Sequence, residues 1–243
     1  MNVLIVGPAG SGKTLLTSEF GQYLEKNYSV RYMNLDAGVT QIPYDPDFDV
    51  RNNYTLKEIM LEEDLGPNGA TLEAVDRLEN LKIPKFEENF VLVDTPGQLE
   101  PFIFRGGYKS FKTLSECCIY LIDSTAPLKT FPSQYLYSLA TQYALGIPMV
   151  RTLSKTDLLD PEYIAELEKV VMDPRMLREL ENAEMRSQIN VDIADYLIEM
   201  HSPTQLPTVS AKAWDGFEDL LTFLLESART QQELESDFSS KMK

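Results

Sequence analysis

The residues best suited to chemistry stand at the start of the chain. Positions 7–14 read Gly-Pro-Ala-Gly-Ser-Gly-Lys-Thr, the spacing GxxxxGK[ST]. Glycines at 7, 10 and 12 let the main chain wrap closely around an anion, so that backbone N–H groups and a helix N-terminus face it. In such a loop Gly10, Ser11 and Gly12 cradle phosphates, Lys13 sets a point charge between the β and γ phosphates, and Thr14 offers its hydroxyl to Mg2+. The chemistry is the binding of a nucleoside triphosphate. A glycine-rich turn that binds nothing is the bland alternative, and the apolar strand before the loop and the amphipathic stretch after it count against it.

Further along, residues 90–93 run into Asp94-Thr95-Pro96-Gly97-Gln98. Asp94 is expected to hold Mg2+ through a water, and Gly97 to bring its amide to the γ-phosphate, reporting whether that phosphate is present. Gln98 matches the glutamine of a DxxGQ pattern and could orient an attacking water. Asp36, at the end of the second strand, faces the phosphates and could act on water, on Mg2+ or on both.

Two later motifs concern the base. Ser154-Lys155-Thr156-Asp157 is one position from NKxD, with Ser where Asn is usual, a smaller side chain to brace the loop. An Asp at the end of that pattern accepts both N–H groups on the Watson-Crick edge of guanine, for which adenine has no equivalent, while the lysine stem packs over the ring. Ser210-Ala211-Lys212 then resembles a loop whose backbone amide meets the guanine O6. Each alone recurs by chance. Together, in order and after strands, they favour GTP over ATP.

The elements that must position these residues alternate along the chain. Apolar runs at 3–6, 30–35, 90–93, 117–122 and 149–153, with Thr208 and Val209 as a sixth, read as strands, and 15–25, 56–65, 133–145 and 217–225 carry helical spacing. Strands apolar throughout imply cover on both faces. The expected fold is therefore α/β: a doubly wound, mainly parallel sheet flanked by helices, with helical insertions. One insertion spans about 53–83, with two helical segments meeting at Gly66-Pro67-Asn68, and the other spans 162–200. A single domain over 1–228 is expected, then a polar tail at 229–243 read as a frayed helix or disordered segment.

The bulk composition fits this. The chain has 243 residues, 43% hydrophobic, enough for a substantial core, and a net charge of −16, which disfavours nucleic acid and anionic membranes as partners. Cys117 and Cys118 are adjacent, so in a strand they point to opposite faces and should not bridge. With no long apolar window, a soluble cytoplasmic protein is expected.

These residues resemble the GPN-loop GTPases, named for a Gly-Pro-Asn insertion between the second and third strands, where this chain has Gly66, Pro67 and Asn68. The likeness extends to Asp36-Ala37-Gly38, to residues 94–100, to the guanine motifs and to residues 217–225. It implies a GTPase of the prokaryotic or archaeal homodimeric type, in the branch related to signal-recognition-particle and septum-positioning proteins. It further implies that the Gly-Pro-Asn loop of each protomer enters the other's site, bringing Asn68 near the γ-phosphate or water in trans. Glu100 resembles a family position near the catalytic water and stands third behind Gln98 and Asp36.

Such proteins serve as assembly or regulatory switches, so a protein client is expected, with residues 162–200 as a candidate docking surface. Arg105 and Lys109 read as a solvated face and His201 as a loop residue. Three other readings stay open: a small-molecule kinase built on the same phosphate loop, a septum-positioning type of ATPase, and a non-hydrolysing GTP-binding scaffold.

Overall fold

The computed structural model describes residues 1–105, 115–173, 176, 189, 191–192, 195 and 206–241. Seven strands form one sheet: β1 (Asn2–Val6), β2 (Val30–Asn34), β3 (Phe48–Asp49), β4 (Phe90–Asp94), β5 (Cys117–Asp123), β6 (Met149–Ser154) and β7 (Thr208–Val209). Their order is β3-β2-β4-β1-β5-β6-β7, and every neighbouring pair is parallel. The strand pair at one edge, β2 and β3, was not expected from sequence in full. β3 is only two residues long and lies beyond a Pro- and Asp-rich stretch, too short to show a period.

Between the strands run α1 (Lys13–Leu24), α2 (Leu56–Glu62), α3 (Pro67–Leu78), α4 (Leu99–Phe104), α5 (Phe131–Leu145), α6 (Pro161–Met172) and α7 (Phe217–Lys241). Side chains alternate across the central strands. Val3, Ile5, Phe90, Leu92, Cys117, Ile119 and Leu121 pack with Leu16, Phe20 and Leu24 of α1 and Phe217, Leu220 and Leu224 of α7. Leu4, Val6, Val91, Val93, Cys118, Tyr120 and Ile122 face the other layer, with Ile59, Ala70, Ala74 and Phe102. Both faces are thus covered, which is why the strands read as unbroken apolar runs. Cys117 and Cys118 fall in opposite layers, both free and buried.

Local signals set the insertion. Thr55 and Glu58 form a reciprocal capping box, with Thr55 Oγ1 accepting the Glu58 amide at 3.2 Å and Glu58 Oε2 accepting the Thr55 amide at 2.8 Å. α3 opens with Gly66 as its extended N-cap and Pro67 in its first turn, where a missing N–H leaves nothing unsatisfied. The Gly-Pro-Asn turn is therefore the start of a helix. At the other end of the chain α7 runs without interruption to Lys241, so the boundary expected at 228 falls inside a helix. No helix among the described residues is long and apolar enough to cross a membrane.

The register aligns the carboxyl ends of the strands. Asn34 pairs with both Asp94 and Asp49, Ile5 with Asp94, Asp123 with Ser154 and Ser154 with Val209. Loops that follow these residues therefore share one edge, the edge at which open parallel sheets place their ligands.

Candidate nucleotide site

At that edge β1 hands the chain to residues 7–12, and α1 begins at Lys13. Gly10 and Gly12 hold φ of 78° and 98°, left-handed backbone that glycine adopts without strain. Nothing lies within 4 Å of where either Cβ would stand, so the requirement is the backbone path, and the space beside it is open. Lys13 is buried, and its Nζ donates to the carbonyls of Gly7 at 2.9 Å and Pro8 at 3.1 Å. Burial lowers its ammonium below the ordinary lysine range, against the pull of Asp94 and Asp36.

Asp94 is 0% exposed. Burial pushes its carboxyl up to about 6, although the Thr14 and Tyr44 hydroxyls and the Lys13 charge all pull it down. Tyr44 donates to Oδ2 at 3.0 Å, while Oδ1 is buried with no hydrogen-bond partner, as is the Ser11 hydroxyl. An unsatisfied buried carboxylate oxygen next to a threonine hydroxyl is a hard-oxygen set of the kind Mg2+ takes, directly or through water. The residues present fit the metal.

The candidate catalytic residues fall in different surroundings. Asp36 is half-buried; its Oδ1 accepts the Gly38 amide at 2.8 Å and its Oδ2 the Gly97 amide at 3.0 Å. Gln98 is exposed at the N-cap of α4, and lines a cavity of about 280 Å³ with Asp36, Gly97 and the α3 residues Thr71 and Ala74. Glu100 is exposed in the first turn of α4. Burial raises the Tyr137 phenol on α5, and the Glu100 charge adds to it. Gly66, Pro67 and Asn68 are exposed and line neither this cavity nor the one described next. Arg105, at the end of α4, pairs with Asp76 of α3 at 3.0 Å. Lys109, His201 and most of 174–200 lie outside the described residues.

The motifs at 154–157 and 210–212 meet the phosphate loop in a cavity of about 240 Å³ lined by Ser11, Gly12, Lys155, Asp157, Ala211 and Lys212 among others. Ser154 is buried, and its hydroxyl lies 3.0 Å from the Ser11 carbonyl and 3.1 Å from that of Ile122. The serine thus braces the phosphate loop itself, despite being shorter than asparagine. Ser124 supports it by donating its hydroxyl to the Ser154 carbonyl. Asp157 Oδ1 accepts the Ser210 hydroxyl at 2.7 Å, joining the two motifs, and the Ala213 amide donates to the same hydroxyl at 2.9 Å.

Lys155 takes a left-handed φ of 64° and its Nζ bonds Asp123 Oδ2 at 2.7 Å. Burial alone would raise the Asp123 carboxyl, but Lys155 and Thr125 outweigh it and hold it below the ordinary range. Three contributors, Tyr44, Asp123 and Ser124, were not foreseen. The only local signal for any of them is Asp123-Ser124-Thr125 after a strand, a sequence suited to an Asx turn, and the Thr125 amide does donate to Asp123 at 3.0 Å.

Comparison with known proteins agrees with this geometry. A family model described as a conserved hypothetical ATP binding protein matches residues 5–230. The GPN-loop GTPase PAB0955 of Pyrococcus abyssi is 38% identical over 242 residues, covering 93% of this chain and 96% of that protein. The crystal structure of that GTPase in its apo form superposes with a TM-score of 0.81 at 36% identity, covering 93% of this chain and 97% of that one. GPN-loop GTPase 1 of Dictyostelium discoideum is 31% identical over 186 residues, 68% of this chain but only 46% of the longer protein.

Proposed function

The chain belongs to the GPN-loop GTPase family and is a GTPase, and we propose that it works as a homodimer in which each Gly66-Pro67-Asn68 turn completes the other protomer's site. The observation that carries this is the placement of that turn. It is exposed at the head of α3, whereas Thr71, Ala74 and Val75 further along the same helix line the cavity beside Asp36 and Gly97. The insertion therefore packs on its own protomer with its body and leaves its tip for a neighbour.

Within one protomer the phosphates sit on residues 10–14 and the base lies between Lys155, Asp157 and the Ser210-Ala211-Lys212 loop. The Asp157 carboxylate supports guanine over adenine, in spite of the ATP in the family model's description. When bound, Mg2+ neutralises charge on the β and γ oxygens. Thr14 and Asp94 are the residues to hold it, with Asp36 the third oxygen within reach of the same loop. In the reaction a water oxygen bonds to the γ-phosphorus, the bond from phosphorus to the bridging oxygen breaks, and its electron pair leaves with GDP. Asp36 and Gln98 hold that water. Glu100, exposed in the first turn of α4, ranks third behind them. Lys13 leaves the carbonyls of Gly7 and Pro8 to meet the phosphates.

The same geometry supports a switch. Arrival of a γ-phosphate at the Gly97 amide displaces Asp36, and Gly97 leads directly into α4, which is tied to α3 by Arg105 and Asp76. Nucleotide state and Gly-Pro-Asn hairpin are thereby coupled, and a protein client that reads the protomer arrangement would read the nucleotide. The two unpaired buried thiols support a cytoplasmic setting, and the charge of −16 a protein rather than nucleic-acid partner. The test is GTP turnover per protomer on serial dilution. Turnover should fall as dimers dissociate, and a rate that holds down to concentrations where the protein is monomeric would contradict the proposal.

A further inference from the structure

We propose that Tyr44 is a positioning residue of the magnesium site, its hydroxyl fixing which oxygen of Asp94 is presented to the cation; this rests on the reading that Asp94 and Thr14 hold Mg2+. A carboxylate is two-fold symmetric, and rotation about its last torsion exchanges the oxygens. The Tyr44 hydroxyl removes that equivalence by donating to Oδ2 at 3.0 Å, leaving Oδ1 as the buried oxygen without a partner.

The tyrosine is itself held on two sides. Its ring stacks on Tyr32, with centroids 5.4 Å apart and planes 24° from parallel, and the Tyr32 hydroxyl donates to Glu25 at 2.9 Å. Pro43, the residue before it, has its carbonyl 3.3 Å from the hydroxyl of Ser18 on α1, one turn beyond Thr14. The segment that orients Asp94 is therefore anchored to the helix that carries the other metal-binding oxygen. Partners of this kind, one shell removed from the ion, typically change metal affinity by about 10- to 100-fold when lost.

Tyr44→Phe keeps the ring and its stacking and removes only the hydroxyl. Release of a fluorescent GDP is measured across a Mg2+ titration and in EDTA, alongside Asp94→Asn and a thermal melt. The Mg2+ concentration that half-slows release should rise about tenfold in Tyr44→Phe, while release in EDTA and the melting temperature stay close to wild type. A wild-type Mg2+ midpoint in Tyr44→Phe, with Asp94→Asn insensitive to Mg2+, overturns the role of Tyr44 and leaves the metal reading standing. Release from the wild type that ignores Mg2+ overturns both. A change of equal size in EDTA makes Tyr44 structural and likewise overturns the proposal.

Discussion

The carboxylate of Asp36 accepts the amide of Gly97 at 3.0 Å, across 61 residues of sequence. An anion thus already sits on the N–H that a γ-phosphate needs. GTP must exchange one anion for another at this amide, whereas GDP, lacking the γ-phosphate, need not disturb it. In the proposed mechanism, binding of GTP frees Asp36 at the moment when a carboxylate is needed beside the water.

Asp36→Ala should therefore slow hydrolysis by about 100-fold, the usual scale for loss of a group that handles the water, while GDP affinity shifts less than twofold. Single-turnover rates and GDP titrations compare the two. An equal loss in both would mean that Asp36 builds the site and takes no part in the reaction.

Residues whose placement is set by their neighbours in sequence were legible. The phosphate loop, Asp94 to Gln98, and the two guanine motifs each sit at a strand end, and parallel strands bring their ends together by topology alone. Contacts between distant positions were not legible in the same way. Ser154 braces Ser11 across 143 residues, and Tyr44 reaches Asp94 across 50. Neither has a periodic or compositional signature. β3 failed for a different reason, since two residues on an edge carry no alternation, while α7 continues into the polar tail, where helix was one of the two alternatives expected.

The brace at Ser154 can be tested in isolation. Ser154→Ala leaves the Ser11 and Ile122 carbonyls without that hydroxyl, and a lost buried hydrogen bond is worth about 1 kcal/mol, so GTP and GDP should both bind roughly fivefold more weakly. Trp214, the sole tryptophan, lies four residues past Ser210 in the guanine loop and supplies a fluorescence signal for the titration. Weakening of GTP alone would place the serine in the reaction instead.

The proposed site assigns base choice to Asp157. Xanthine has a carbonyl where guanine carries its exocyclic amino group, so Asp157→Asn, which adds an N–H donor, should bind XDP better than GDP. Competition between GDP and XDP reads this directly. Retained preference for GDP would remove Asp157 from base recognition.

Asp94 makes stability depend on pH. Its carboxyl is raised from 3.8 to about 6, so burial penalises the ionised form. That penalty is absent below about 4, grows through the window from about 4 to 6 and is complete above it, on the order of 2–3 kcal/mol. Nucleotide-free Asp94→Asn should therefore melt higher than wild type at pH 7.5, by roughly 5 °C, with the gap falling to about half at pH 5. Melting curves at the two pH values decide it, and a gap that is the same at both would show that Asp94 does not titrate there.

The central claim, a site shared between two copies, is tested most directly by mixing two inactive variants. Asn68→Ala should hydrolyse GTP poorly while binding GDP nearly as well as wild type, and Lys13→Ala should lose its own phosphate site but keep an intact Asn68. After subunit exchange at equal amounts, half the dimers are mixed and each holds one complete site, so turnover should recover to about a quarter of wild type. No recovery at any ratio, with mixed dimers shown to form, would contradict the shared site.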